Sequence, residues 1–254
     1  ISIDDRTIQP GELFIAFKGN KFDGHDFIKS AITKGAGGII VSDLHLAKKH
    51  NGLLVDNTNK ALIDIAKFGR NRFQGTTIAL TGSSGKTSTK HLLSCTLKTY
   101  GTTHFTQGNN NNIIGLSLTL SRLDPGFKYC VLELGINNIG EMEELTKLAL
   151  PNIALITNVT NSHIQNFKDE EEIAYAKSKI FLGLNKNGTV ILNSDNVWSD
   201  FLIKKAKEIN AKIHLYGHSK NSNTNIIKIT HEKEGATICF DNKKDWHLHY
   251  LNTT

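Results

Sequence analysis

The stretch IALTGSSGKTSTK, residues 78–90, has the residue types and spacing of a loop that holds phosphate. Ile78, Ala79 and Leu80 read as the end of a buried strand, and the residues after Lys86 carry a helical pattern. Between them, Gly82, Ser83, Ser84, Gly85, Lys86, Thr87 and Ser88 offer backbone N–H groups and a helix N-terminus to phosphate oxygens. A lysine in the place of Lys86 reaches the outer phosphates, and a hydroxyl in the place of Thr87 meets Mg²⁺. The same letters also suit a glycine turn that merely starts a helix, but strand, lysine and helix in this order favour phosphate. The spacing is G-x-x-G-K-T, whereas the longer phosphate-loop pattern wants glycine where Leu80 stands. The loop by itself leaves the reaction open. The one N-K-x-D string, at 242–245, falls in the late run of short strands and not among the buried strands beside the phosphate loop, so GTPases are disfavoured, while small-molecule kinases fit.

Glu133, in VLELG, stands at the end of an apolar strand, where a charge is costly unless solvated, paired or bound to a metal. It is either a solvated strand end or, beside a phosphate loop, the acid that Mg²⁺ needs. His163 follows a strand in ITNVTNSHIQNF and reads either as a surface histidine or, on the same sheet edge, as a functional one. Lys177, in EEEIAYAKSKIF, has apolar neighbours Ile173, Ala174, Ala176 and Ile180, so part of its helix is buried. A buried, neutral lysine amine can take up CO₂ to form a carbamate, an anionic oxygen ligand, but the residues alone do not select this over a solvated lysine. TQGNNNNIIG (106–115) is either a polar turn, since asparagine tolerates left-handed backbone, or a set of amide contacts to a sugar or peptide.

These residues need a scaffold that brings them together. Residues 1 to about 75 read as a small α/β unit, with strands in ELFIAFKG (12–19), GIIVS and LLVD (53–56) and helices in HDFIKSAITKG and ALIDIAKFGRNRF (61–73). From Thr76, apolar strands TTIALTG, YCVLELG, NIALITNVT and TVILNSD alternate with helices TSTKHLLSCTLKTY, GEMEELTKLA and EEEIAYAKSKIFLGL. That alternation predicts an α/β fold, a mostly parallel sheet with right-handed crossovers and helices on both faces. Ligands of such sheets sit at the carboxyl ends of the strands, which places Gly82–Thr87, Glu133 and 158–163 on one edge. From about residue 210, KIHLYG, NIIKIT, ATICF and DWHLHY predict an antiparallel flank. The expected division is 1–75 and 76–254.

A formal net charge of +6 suits polyanionic ligands such as nucleotides, while the lysine pairs at 48–49, 204–205 and 243–244 read as solvated faces. Nothing resembles a zinc finger, an RNA-binding motif or an aromatic-interleaved basic stripe, so nucleic acid is not an expected partner. Apolar runs such as IALI (153–156) are too short to span a membrane, and no charged-then-apolar leader is visible. Cys95, Cys130 and Cys239 are odd in number, widely spaced and without C-x-x-C. This argues against a zinc site or a disulfide framework and fits a reducing cytoplasm.

Taken together, the segments resemble the Mur ligases, and within them most closely the branch that joins D-alanyl-D-alanine to UDP-N-acetylmuramoyl-tripeptide. The G-x-x-G-K-T loop is that family's shortened phosphate loop. TQGNNNNIIGLSLTL resembles its T-x-G-N-x-N-N-x-I-G-x-P-x-T-L, and ELGINNIGEM its E-x-G-x-N-x-x-G-E-I. TNVTNSHIQNF and AYAKSKIF resemble its histidine loop and modified-lysine helix. DDRTIQPGELFIAFKGNKFDGHDFI resembles its uridine-nucleotide pattern D-S-R-x-I-x-P-G-x-L-F-x-A-L-x-G-x-x-x-D-G-H-x-F. The match runs over residues 3–196 in order.

The resemblance implies ATP-dependent amide formation through an acyl phosphate, in peptidoglycan precursor synthesis. Residues 1–75 would hold the UDP substrate and 76–254 the ATP, with Lys86, His163 and Lys177 in catalysis and two Mg²⁺ sites. Thr87 and Glu133 would hold one ion, His163 and a carbamylated Lys177 the other. Arg6, Asp23, Gly24 and His25 would contact UDP. Thr106, Asn109, Asn111, Asn112 and Asn138 would serve the muramoyl-peptide. The expected state is a cytoplasmic monomer. Another Mur-type ligase, a folylpolyglutamate synthetase or a nucleotide-binding paralogue without ligation are the alternatives, and DGHDFI argues against the folate enzyme. The sequence departs from the pattern at Asp5 (usually serine), Ile113 (often acidic) and Ser117 (usually proline). The family's H-N-x-x-N adenine-side motif and C-terminal domain do not occur before Thr254, so these residues alone are expected to fold but to ligate poorly or not at all.

Overall fold

The structure, a computed structural model, describes residues 1–19, 22–161, 166–233, 235–241 and 245–249. By packing it divides into two compact units, Ile1–Gly75 with Leu97–Cys130, and Thr76–Thr96 with Val131–Thr254. The sequence division at 75/76 assigns 97–130 to the second part of the chain, whereas packing assigns it to the first. The reason is apolar: Ile114 and Leu118 join the cluster built on Ile15, Phe17, Ile40 and Leu62.

In the first unit, β1 (Leu13–Ile15), β2 (Gly38–Val41) and β3 (Leu53–Leu54) form a parallel sheet in that order. Strand alternation sends Phe14, Ile39 and Val41 into one cluster with Ile28 and Ala31 of α1 (Ile28–Thr33). Ile15 and Ile40 enter the opposite cluster with Leu62 of α3 (Thr58–Arg72). Between them α2 (Leu44–His50) starts where Asp43 accepts the N–H of Leu46, and α3 starts where Asn57 accepts that of Lys60. The unit also holds β5 (Thr103–Phe105) and α5 (Ile113–Ser121), which packs on α3. Gly69 permits that packing, because a Cβ there would lie 2.3 Å from the Leu120 carbonyl oxygen.

The second unit is a mostly parallel α/β sheet flanked by helices. Its strands are β4 (Thr76–Thr81), β6 (Tyr129–Glu133), β7 (Ile153–Ile156), β8 (Thr189–Asn193), β9 (Lys212–Gly217), β10 (Thr224–Glu232), β11 (Gly235–Phe240) and β12 (Asp245–His249). Eight strands of the large sheet, in the order β12-β11-β10-β9-β8-β7-β4-β6, carry this unit. Ala79, Leu80, Val131, Leu132 and Ala154 are buried, as both-face coverage of parallel strands requires. The helices are α4 (Lys86–Lys98), α6 (Glu141–Ala149), α7 (Glu170–Ser178), continued by a 3₁₀ turn over Lys179–Gly183, and α8 (Ser199–Glu208). Among the described residues no helix is long and apolar enough to cross a membrane.

The expected antiparallel flank begins later than the sequence suggests. KIHLYG is β9, parallel to β8, and β10 is still parallel to β9; only β10, β11 and β12 are antiparallel. The crossover that parallel pairing needs is α8, whose Leu202 and Ala206 are buried.

Candidate functional site

The phosphate-type loop lies at the carboxyl end of β4 and runs directly into α4. Its first glycine is dictated by crowding: Gly82 has φ +155, and a Cβ would stand 1.9 Å from the hydroxyl oxygen of Thr157. Gly85 has φ +76, where other residues are strained, and open space where its Cβ would be. The loop is held from the segment after β7. The Ser83 N–H donates to the Asn158 carbonyl at 3.0 Å, and the Ser84 N–H donates to Asn158 Oδ1 at 2.9 Å. Asn158 Nδ2 donates to Ser84 Oγ at 2.7 Å, and Thr157 Oγ1 donates to the Ser84 carbonyl at 2.7 Å. Ser83 Oγ gives to the Thr160 carbonyl and receives from the Thr160 N–H, both at 3.0 Å. The first-turn N–H groups of α4 have no acceptors within the helix, as at any helix start.

Lys86 Nζ donates to the Gly82 carbonyl at 2.7 Å. Burial lowers its basicity, against the opposing pull of Glu133. Thr87 Oγ1 donates to Glu133 Oε1 at 3.2 Å, and the other carboxylate oxygen, Oε2, lies 3.3 Å from the ammonium of Lys90. Glu133 is 1% exposed and Lys90 3%. Glu133 is therefore no solvated strand end. A hydroxyl and a carboxylate oxygen 3.2 Å apart also suit Mg²⁺, whose 2.0–2.1 Å bonds put adjacent octahedral ligands about 2.9 Å apart. Lys177 is 3% exposed, and its amine is pushed down to about 8, first by burial and then by the charge of Lys86. Among the described residues no carboxylate lies within ion-pair distance of it. His163 lies outside the described residues. Asn138 donates to Glu141 Oε1 at 2.7 Å, at the start of α6.

Sequence reasoning missed Asn158 and Lys90 as site residues. Lys90 had a signal, since it repeats on the helix face three and four residues beyond Thr87 and Lys86. Asn158 had a coarser one, since the carboxyl-end rule puts 158–163 on the phosphate loop's edge, but its individual bonds run to a loop some 75 residues earlier in the chain.

The first unit holds a cavity of about 670 Å³, with Arg6, Phe22, Gly24, Phe27, Asn110 and Arg122 among its walls. The Arg6 guanidinium is clasped by Asp4, with Nε 2.9 Å from Oδ1 and Nη2 2.7 Å from Oδ2. Gly24 is required, since a Cβ would lie 2.6 Å from Phe17 backbone atoms. The Asp23 and His25 side chains do not wall the cavity. His25 Nδ1 meets Asp23 Oδ1 at 2.5 Å, and its Nε2 accepts the Ser42 N–H at 3.0 Å. The pair braces the turn after Asp23 against the end of β2. Asp5 accepts from Ser30 Oγ at 2.6 Å and pairs with Lys34 at 3.5 Å. Asn112 Oδ1 caps α5 by accepting the Gly115 N–H at 2.9 Å, Thr106 is buried, and Asn109 is exposed with Asn111 half-buried. The Ile113 departure starts α5, and Ser117 is fully buried within it.

Two family models match this chain, and the later of the two matched regions includes the 97–130 segment that packs with the first unit. Residues 80–251 match the model of the Mur ligase middle domain, and 1–70 that of the Mur ligase family, catalytic domain. The UDP-N-acetylmuramoyl-tripeptide–D-alanyl-D-alanine ligase of Buchnera aphidicola subsp. Baizongia pistaciae is 43% identical over 93% of this chain and 51% of its own. MurF from Acinetobacter baumannii superposes with TM-score 0.86 at 28% identity, over 98% of this chain and 55% of that one. MurF ligase from Thermotoga maritima, solved in complex with ADP, gives TM-score 0.82 at 27% identity over 99% and 58%. The chain spans about half the length of the curated relatives it matches. It belongs to the Mur ligase family.

Proposed function

We propose that this chain takes part in ATP-dependent ligation of D-alanyl-D-alanine to UDP-N-acetylmuramoyl-tripeptide, a step of peptidoglycan precursor synthesis. The observation that carries the reading is the cluster of Lys86, Thr87, Glu133 and Lys177 around one phosphate-type loop. The named relatives supply the substrates. In the first step a carboxylate oxygen of the tripeptide forms a bond to the γ-phosphorus as the bond to the β-bridging oxygen breaks, giving an acyl phosphate and ADP. In the second, the amine nitrogen of D-Ala-D-Ala attacks the acyl carbon, the C–O bond to phosphate breaks, and the amine loses a proton. The α4 N-terminus and Lys86 would hold the charge on the moving phosphoryl group, which in a partly buried site is worth more than in water. To reach a phosphate oxygen Lys86 exchanges its bond to the Gly82 carbonyl. Thr87 and Glu133 would hold one Mg²⁺, and His163 with Lys177 a second. These ions supply neutralisation of oxygens that otherwise repel the carboxylate.

The carbamate on Lys177 belongs to the same proposal. With a pKa of about 8, roughly one amine in ten is neutral at pH 7, against fewer than about one in a thousand for an ordinary lysine. The neutral nitrogen adds to CO₂ and releases one proton. In the first unit, the exposed rings of Phe22 and Phe27 and the guanidinium of Arg6 suit a pyrimidine nucleotide, with Gly24 shaping the wall. Asp23 and His25 act by bracing that wall. Thr106, Asn109, Asn111, Asn112 and Asn138 are assigned to the muramoyl-peptide. Residues 1–75, joined at the cavity by Asn110 and Arg122, would act on the UDP substrate and the phosphate-loop part of 76–254 on ATP, in a cytoplasmic monomer.

Calorimetric titration of this chain tests the reading. UDP-N-acetylmuramoyl-tripeptide and Mg-ADP are both expected to bind, and folates not to. Folate binding in place of the UDP-sugar would overturn it in favour of the folylpolyglutamate branch.

A further inference from the structure

Lys90 has no part in the reaction described above, yet it is among the most buried charges in the second unit. Its ammonium sits 3.3 Å from Glu133 Oε2, while Thr87 holds Oε1 at 3.2 Å. Both partners of the ion pair are almost fully buried, so removing either charge takes a close opposite charge from the other. A carboxylate meant for Mg²⁺ faces a dilemma in such a place. Without the ion it needs another cation; with one, it carries a competitor. Lys86, Thr87 and Lys90 share one face of the first turns of α4, so the competitor is fixed to the same rigid element as the Thr87 hydroxyl.

We propose that Lys90 is a positioning residue, the resident counter-cation of Glu133. It holds the carboxylate aimed at Thr87 in the nucleotide-free protein, and its charge holds down the affinity for a free divalent ion. Metal therefore enters together with the nucleotide's phosphates, whose negative charge offsets the repulsion, and not ahead of them. The inference rests on Thr87 and Glu133 being the metal ligands.

The test is Mn²⁺ binding without nucleotide, read from the electron spin resonance signal of free Mn²⁺, for the unmodified chain and for Lys90→Met and Lys90→Arg. Lys90→Met is expected to bind Mn²⁺ about ten-fold tighter or more, and Lys90→Arg to stay within about two-fold of the unmodified chain. The thermal midpoint of Lys90→Met is expected to fall in EDTA and to recover with Mn²⁺. A residue that only packs would lower the midpoint equally with and without metal, and that result, or Mn²⁺ affinity unchanged in Lys90→Met, overturns the proposal. Should Lys90→Met not fold, Lys90→Gln, whose amide can still donate to Glu133, takes its place with the same expectations. Glu133→Gln separates the two layers of the argument. If it leaves Mn-ADP affinity intact, the metal site itself is wrong and Lys90's role falls with it. If it abolishes that affinity while neither neutral Lys90 variant tightens Mn²⁺ binding, the counter-cation idea alone is wrong.

Discussion

Lys177 shows how one buried charge becomes measurable. Its amine titrates near 8 in the folded chain against 10.5 for an ordinary lysine. Between those values the unfolded chain binds more protons, so stability rises with pH across that window. Below pH 8 the cost of burying the charged amine is present in full, and it is relieved as pH climbs. The difference corresponds to roughly 3 kcal/mol. In urea melts under CO₂-depleted buffer, the stability of the unmodified chain minus that of Lys177→Met is expected to increase by about that order between pH 7 and 10.5. A difference that stays flat would show that Lys177 titrates normally and would remove the basis for its carbamate. Glu133 makes a contrasting case, because its buried carboxylate has the Lys90 ammonium 3.3 Å from one oxygen and the Thr87 hydroxyl 3.2 Å from the other.

Elements place these residues, and the contact between the phosphate loop and the segment after β7 is the clearest instance. Gly82→Ala adds a methyl where Thr157 Oγ1 stands, at a φ of +155 that alanine rarely adopts. It must displace the Thr157 and Asn158 bonds to Ser83 and Ser84. A loss of about 2 kcal/mol or more in folding stability is expected, with ADP affinity down about ten-fold and UDP affinity untouched. Full retention of ADP binding by Gly82→Ala would sink the view that this contact shapes the loop. Much of this architecture was legible beforehand. Apolar runs alternating with helical periods announce a parallel sheet, and G-x-x-G-K-T between strand and helix announces a phosphate loop, because both are local patterns. The Asn158 bonds and the Lys90 pair were not, since they join residues whose proximity exists only after the sheet forms. The late start of the antiparallel flank was missed for a different reason: α8 has buried residues only at positions such as Leu202 and Ala206, a weak helical stripe in a lysine-rich run. Asp23 and His25 were read as ligand contacts because their motif is specific, yet the pair closes on itself and on Ser42.

At the scale of the whole molecule, two compact units each contain a separate reason to bind an anion. One has a cavity of about 670 Å³ walled by Arg6, Arg122 and partly exposed aromatic rings; the other has a glycine loop opening a helix and two lysines that burial makes less basic. A formal net charge of +6 favours the approach of polyanions to either, and salt weakens that approach. Ligands that bind only the native state stabilise what they touch, so each should leave its own footprint in backbone hydrogen exchange. UDP is expected to slow exchange in segments 2–7, 22–27 and 118–122 of the first unit. Mg-ADP is expected to slow exchange in 82–90 and around Glu133 of the second. Arg6→Ala should erase the first footprint and spare the second, and Lys86→Met the reverse, because the residues belong to different units. If UDP protects residues 82–90 instead, the assignment of the uridine nucleotide to the first unit is wrong, and the cavity around Arg6 must serve some other ligand.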